Sequence, residues 1–191
     1  MFDYFGILIS IIIGLALTHA LRGLVRLIQM RHVVRLYWVH IVWTLNVLHF
    51  SLAIWFGMFW WRNLHEWTSD LFYFLAAYAT VIFMWASMLY PAEYAEGFDF
   101  KEYFLSNRRW FFGFQMAVCL MDIPETILKS AAHLREMPYQ YPLLIAVLLT
   151  VSMVGLFSRR PRVHGVLCVA WALTTFGYMV FIPLVSRIAP H

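Results

Sequence analysis

Two carboxylates and a histidine stand where this sequence is most apolar. Asp122 and Glu125 fall in the stretch Cys119-Leu120-Met121-Asp122-Ile123-Pro124-Glu125. Residues three apart on a helix share a face. Pro124 removes a backbone donor and kinks a helix that carries it, so a carbonyl near Asp122 is freed. A carboxylate beside a broken turn is equipped to bind a cation or take up a proton. His49 is the second candidate, with Asn46 one turn before it. Both Asp122 and His49 lie about 13 residues, or roughly 20 Å, from the same end of their apolar stretches, at 1.5 Å per residue. At matching depth a carboxylate–imidazole pair would fix the histidine's tautomer. Asp122, Glu125, His49 and Asn46 are therefore the expected intramembrane site for a proton or ion. Two plainer readings stand beside it. The stretch holding Asp122 ends early and both acids meet water, or His49 is satisfied by a carbonyl of the next helix.

His19 and His40 offer a different chemistry. They flank the first connection on neighbouring apolar stretches, at depths one or two turns apart. Two histidines facing each other can ligate a b-type haem. Gly14, Ala16 and Gly23 would provide flat space for a macrocycle. Ordinary polar contacts between helices account for the same residues.

No catalytic residue is expected, and the reading leans away from an enzyme. The chain lacks a Gly-rich phosphate loop, a Gly-x-Ser-x-Gly elbow, a His-Glu-x-x-His pair and a Cys-x-x-Cys pair. No metal site is expected either. Cys119 and Cys168 are far apart in apolar stretches and read as small packing residues.

The elements that must position these groups follow from composition. Of 191 residues, 63% are apolar and only 13% charged, against roughly half and a quarter in a soluble domain. A surface of that kind needs lipid as its solvent, and the lipid bilayer is the expected partner. Six apolar stretches of near-spanning length predict an all-α, six-helix transmembrane bundle, with all 191 residues in one integral membrane domain. The spans are expected at 5–28, 36–60, 70–90, 110–128, 141–157 and 163–188. Pro91 closes the third and Pro142 opens the fifth. The connection Pro91–Arg109 mixes acidic and aromatic residues, and reads as a surface-lying amphipathic segment or a solvated loop.

Charge sets the orientation. Arg22, Arg26, Arg31 and Arg35 surround the first connection, Lys101, Arg108 and Arg109 lie in the third, and Arg159, Arg160 and Arg162 in the fifth. Arg62, Lys129, Arg135 and Arg187 fall on the other side. The positive-inside rule puts the first group in the cytoplasm and both termini outside. Trp38 and Trp110 then sit at the inner boundary, and Trp60, Trp61, Trp67, Tyr139 and Tyr141 at the outer one. The net charge of +4 is absorbed by this asymmetry and does not call for nucleic acid. The first stretch has no basic residues before it and no small-residue cleavage site, so it is expected to remain in the mature protein.

The opening Phe2-Asp3-Tyr4-Phe5, the run Gly14-Leu15-Ala16-Leu17-Thr18-His19-Ala20-Leu21-Arg22-Gly23-Leu24 and the tetrad Tyr37-Trp38-Val39-His40 resemble a group of small, uncharacterised bacterial polytopic inner-membrane proteins. The likeness lies mainly in the first two spans. It implies a bacterial inner (plasma) membrane setting and carries no activity and no site residue. Three roles stay open at this stage: an oligomeric conduit or proton-coupled transporter using the mid-membrane polar site, an accessory or structural subunit of a larger membrane complex, and a haem b protein.

Overall fold

A computed structural model describes residues 2–64, 67–129 and 139–181. Among the described residues there are six α-helices: α1 (Phe2–Gln29), α2 (Trp38–Gly57), α3 (Ser69–Ser87), α4 (Phe100–Lys129), α5 (Gln140–Phe157) and α6 (Pro161–Phe176). A 3-10 segment, Met58–Asn63, extends α2, and a π turn, Gly177–Phe181, extends α6. Among the described residues there is no strand, only an isolated bridge between Arg35 and Asp99. The first five helices, with α2 counted through Arg62, are long and apolar enough to cross a membrane. The chain thus has the make-up of a multi-pass membrane protein. Residues 182–191, with Arg187, lie outside the described residues, as do His65, His133 and Arg135.

The helices close a ring. α1 packs on α2 and α3, α3 on α4, α4 on α5, α5 on α6, and α6 returns to α2. Large apolar side chains cover the outside, among them Ile11, Leu15, Leu45, Leu143 and Leu173. The centre is aromatic. Trp171 of α6 meets Trp43 of α2 and Trp85 of α3, both at 5.8 Å between ring centroids, and Phe50 at 5.4 Å. Phe111 and Phe112 of α4 each stand 5.3 Å from Trp43. Edge-to-face pairs of this kind add about 0.5–1.5 kcal/mol each beyond burial.

One expectation changes here. Of the connection before the fourth span, residues 91–99 form a loop, while residues 100–109 are neither a loop nor a separate surface helix but the first turns of α4. Asp99 caps α4, its Oδ1 accepting from the N–H groups of Lys101 (2.8 Å) and Glu102 (3.1 Å). No proline or glycine interrupts residues 100–112, so the helix runs on unbroken. At 30 residues it is about 45 Å long, longer than a hydrocarbon core of about 30 Å. The aromatic residues of this region turn inward: Phe100, Phe104 and Tyr94 are buried against the bundle. The packing face of α1 is Ile9, Ile13, Ala16, Ala20, Gly23 and Leu27. The polar row Ser10, Thr18 and Arg22 is exposed instead.

The three arginine-rich connections meet at one end of the ring. Arg35 N–H donates to Phe98 O (2.8 Å) and Phe100 N–H to Arg35 O (3.1 Å). The Arg26 guanidinium donates to Tyr94 O (3.1 Å) and covers the Tyr94 ring at 4.4 Å. Burial pushes the Tyr94 hydroxyl up from its ordinary pKa, against the pull of Arg26. Tyr37 O–H donates to Pro161 O (3.3 Å), which ties the first connection to the fifth.

Candidate functional site

Asp122 and Glu125 come together near the opposite end. The helix does not stop at Asp122; α4 continues through Pro124 to Lys129. Each Asp122 carboxylate oxygen accepts one hydroxyl: Oδ1 from Tyr78 of α3 and Oδ2 from Tyr141 of α5, both at 2.9 Å. Tyr141 O–H also lies 3.1 Å from Asp122 O, beside the proline-broken turn. Glu125, 2% exposed, accepts at Oε1 from Trp61 Nε1 (2.9 Å) and from Lys129 Nζ (2.7 Å). Tyr178 lies within electrostatic reach of Asp122. Among the described residues, two carboxylates thus face one ammonium. If both were ionised, one negative charge would stay uncompensated in a low-dielectric site, which is costly. A proton or a cation removes that cost.

These partners come from four elements. α3 brings Tyr78, the 3-10 turn brings Trp61, α5 brings Tyr141 and α4 brings both acids and Lys129. Glu125 and Lys129 are one turn apart on one helix, the spacing at which such pairs meet. Gly57, at the end of α2, leaves room for the ammonium: an added Cβ there would stand 3.2 Å from Lys129 Nζ.

Above this cluster α4 keeps one face polar along its length, buried at Arg108 and Gln115 and half-buried at Asp122 and Lys129. Arg108, Gln115, Asp122 and Lys129 are spaced by seven, two helical turns, and Cys119 lies between them. Gln115 is fully buried, and neither its Oε1 nor its Nε2 has a hydrogen-bond partner among the described residues. The Nε of Arg108 and the indole N–H groups of Trp43, Trp85 and Trp171 are likewise buried without partners. Unmet polar groups in a membrane interior cost several kcal/mol each, so such atoms are seldom left dry.

The other predicted residues go elsewhere. Asn46 donates from Nδ2 to Cys168 O (2.9 Å), bolting α2 to α6. The His49 ring lies 5.7 Å from Phe176 and its Nε2 has no partner among the described residues. His49 therefore faces α6, whereas Asp122 is held from α3 and α5, and the carboxylate–imidazole pair is not formed. Thr150, Thr174 and Thr175 bond carbonyls of their own helices.

His40 is fully buried, and its Nε2 donates to Leu89 O at 2.6 Å. That bond sets the Nε2–H tautomer, and Nδ1 is left without a partner. The ring is packed by Tyr90 (4.8 Å) and Phe100 (4.9 Å). His19 stands beside the Tyr90 backbone, with its own Nε2 unpartnered. Tyr90 packs on the His40 ring, its own ring seated in the notch left by Gly23. This arrangement does not fit a haem held by both histidines. Cys119 and Cys168 are free and buried, and no group of three or more metal-ligating side chains occurs among the described residues.

Comparison with protein-family models, with curated proteins and with solved structures finds no match to this chain. The site must be read from its own chemistry. Sequence reasoning missed Tyr78, Gln115 and Arg108, and set Trp61 and Tyr141 in the outer aromatic belt, although both turn inward. His164 is buried between Phe104 and Phe112, its Nε2 donating to Ser158 O at 3.0 Å. The seven-residue spacing on α4 was the signal that could have found Gln115 and Arg108.

Proposed function

We propose that this chain is a six-span protein of a bacterial inner membrane, with both termini periplasmic. In this reading it works as an oligomer and moves protons, or couples their movement to a substrate, through the Asp122–Glu125 site. The observation that carries the reading is the polar face of α4, which runs from buried Arg108 and Gln115 to half-buried Asp122 and Lys129 alongside an aromatic plug. The plug closes the centre of the ring to bulk water. The unmet amide of Gln115 and the tryptophan N–H groups mark where a file of water would pass it. Asp122 and Glu125, two acids sharing one ammonium, are the groups able to hold the transferred proton.

The six-span count draws on α6 and its π turn, which together reach Phe181. The orientation draws on the arginine-rich end, and the bacterial setting on the likeness of the first two spans. A second reading, an accessory subunit of a larger complex, draws on Phe56 (68% exposed) and Phe59 (58% exposed) near the Trp61 end of α2. Recovery of stoichiometric partner subunits on gentle purification would favour it.

Proton flux into vesicles carrying the purified protein and a trapped pH dye tests the conduit. Gln115→Leu removes an unpartnered buried amide, so the variant is expected to keep or gain thermal stability. Its flux is expected to fall several-fold, because the water file loses its polar step past the plug. Unchanged flux in a stable Gln115→Leu protein would remove α4 from the route.

A further inference from the structure

We propose that the arginine end of the bundle holds one anionic phospholipid, with an acyl chain in the groove between α2 and α6 and the phosphate on Lys101, Arg108 and Arg159. Two adjoining cavities carry the inference. The first is an apolar groove of about 840 Å³ between the start of α2 and α6, floored by residues such as Val39, Gly165, Val169 and Leu173, with Lys101 and Arg162 among its lining. The second, about 510 Å³, is polar and is lined by Lys101, Arg108, Ser106 and Arg159 together with Asp99 and Glu102. Lys101 belongs to both. A greasy groove joined to a basic pocket fits a ligand that is apolar at one end and anionic at the other.

Arg108 makes the polar pocket a built site. It is 7% exposed, and one Nη donates to Leu105 O at 2.7 Å. Its Nε is buried without a partner, and no carboxylate pairs with it among the described residues. The neighbouring charges it feels are those of Arg159 and Arg109, which repel it. A buried guanidinium facing other cations calls for an anion, and its planar donors suit phosphate. The two acids in the pocket do not supply that anion. Asp99 is engaged by the α4 N-terminus and by Arg35 (3.8 Å), and Glu102 is exposed. The apolar groove favours a lipid over a soluble phosphate, because α6 offers three turns of apolar lining beside the cations. Gly165 lets Trp38 lie close against α6 in the lining of that groove, where an added Cβ would stand 3.0 Å from the Trp38 ring.

The test uses the full-length protein in detergent, titrated with phosphatidylglycerol, phosphatidylcholine or inorganic phosphate and read by intact-complex mass spectrometry and thermal unfolding. The expected result is one retained phosphatidylglycerol that raises the melting temperature, with little effect of phosphatidylcholine. Arg159→Gln, at an exposed position, is expected to weaken phosphatidylglycerol binding about tenfold. Val169→Trp, which fills the groove, is expected to weaken it without altering the cations. Equal retention of both lipids would overturn the proposal, as would wild-type binding by both variants. Inorganic phosphate competing at the same concentration as the lipid would also overturn it, because the groove would then contribute nothing.

Discussion

Lys129→Met is expected to lower the stability of the protein in detergent by about 3–5 kcal/mol, the usual cost of removing one partner from a buried ion pair. Lys129 Nζ sits 2.7 Å from Glu125 Oε1, and Glu125 is 2% exposed. Without the ammonium, Glu125 keeps only the indole N–H of Trp61 and faces Asp122 one turn away. Two acids then share the site with no cation among the described residues. Adding Glu125→Gln to the same chain removes the stranded charge, so the double variant is expected to regain most of the loss. Thermal unfolding of the two variants and of wild type measures both steps. A Lys129→Met protein as stable as wild type would mean that the cluster opens to water and that Glu125 is solvated.

The second large effect is expected at the aromatic centre. Trp171→Ala should cost about 3 kcal/mol, the lower end for such a truncation. The transfer part of that cost shrinks where lipid is the solvent, while the lost packing remains. Trp171 touches Trp43, Trp85 and Phe50, which belong to two other helices, so the void cannot be closed by moving one neighbour. Trp110→Ala is the matched control. That side chain is 66% exposed at the rim of α4, and its loss should leave the melting temperature within a degree or two. If the plug also keeps bulk water out, Trp171→Ala should make vesicles leaky to protons, an effect opposite in sign to Gln115→Leu.

Much of the fold was legible because lipid imposes a simple rule. Uninterrupted apolar runs of spanning length become helices, and α1, α2, α3 and α5 fall close to where those runs lie. Residues 100–109 were misread because a span was expected to begin where hydropathy rises. Helix continuity depends instead on the Asp99 cap and on the absence of a breaker. The site was half legible. Asp122 and Glu125 announced themselves by charge and by Pro124. Tyr78, Trp61 and Tyr141 did not, because interfacial and buried aromatics look alike in sequence until the neighbours are known. The pairing of His49 with Asp122 rested on depth alone. Depth says nothing about azimuth around the ring, and α2 turns His49 toward α6. His40 and His19 show the same limit. Tyr90 and the Gly23 notch, contacts between distant segments, decide how their surroundings are filled.

The most direct test of the account is proton flux through Asp122→Asn protein in vesicles, compared with wild type at equal reconstitution. Asparagine keeps the shape and one acceptor for the tyrosine hydroxyls but cannot carry a proton at neutral pH. The account predicts a loss of at least about tenfold in a protein that still folds and still melts cooperatively. Wild-type flux in that variant, or no flux above empty vesicles in the wild-type protein itself, would contradict it and leave the Asp122 cluster as a structural tie between α3, α4 and α5.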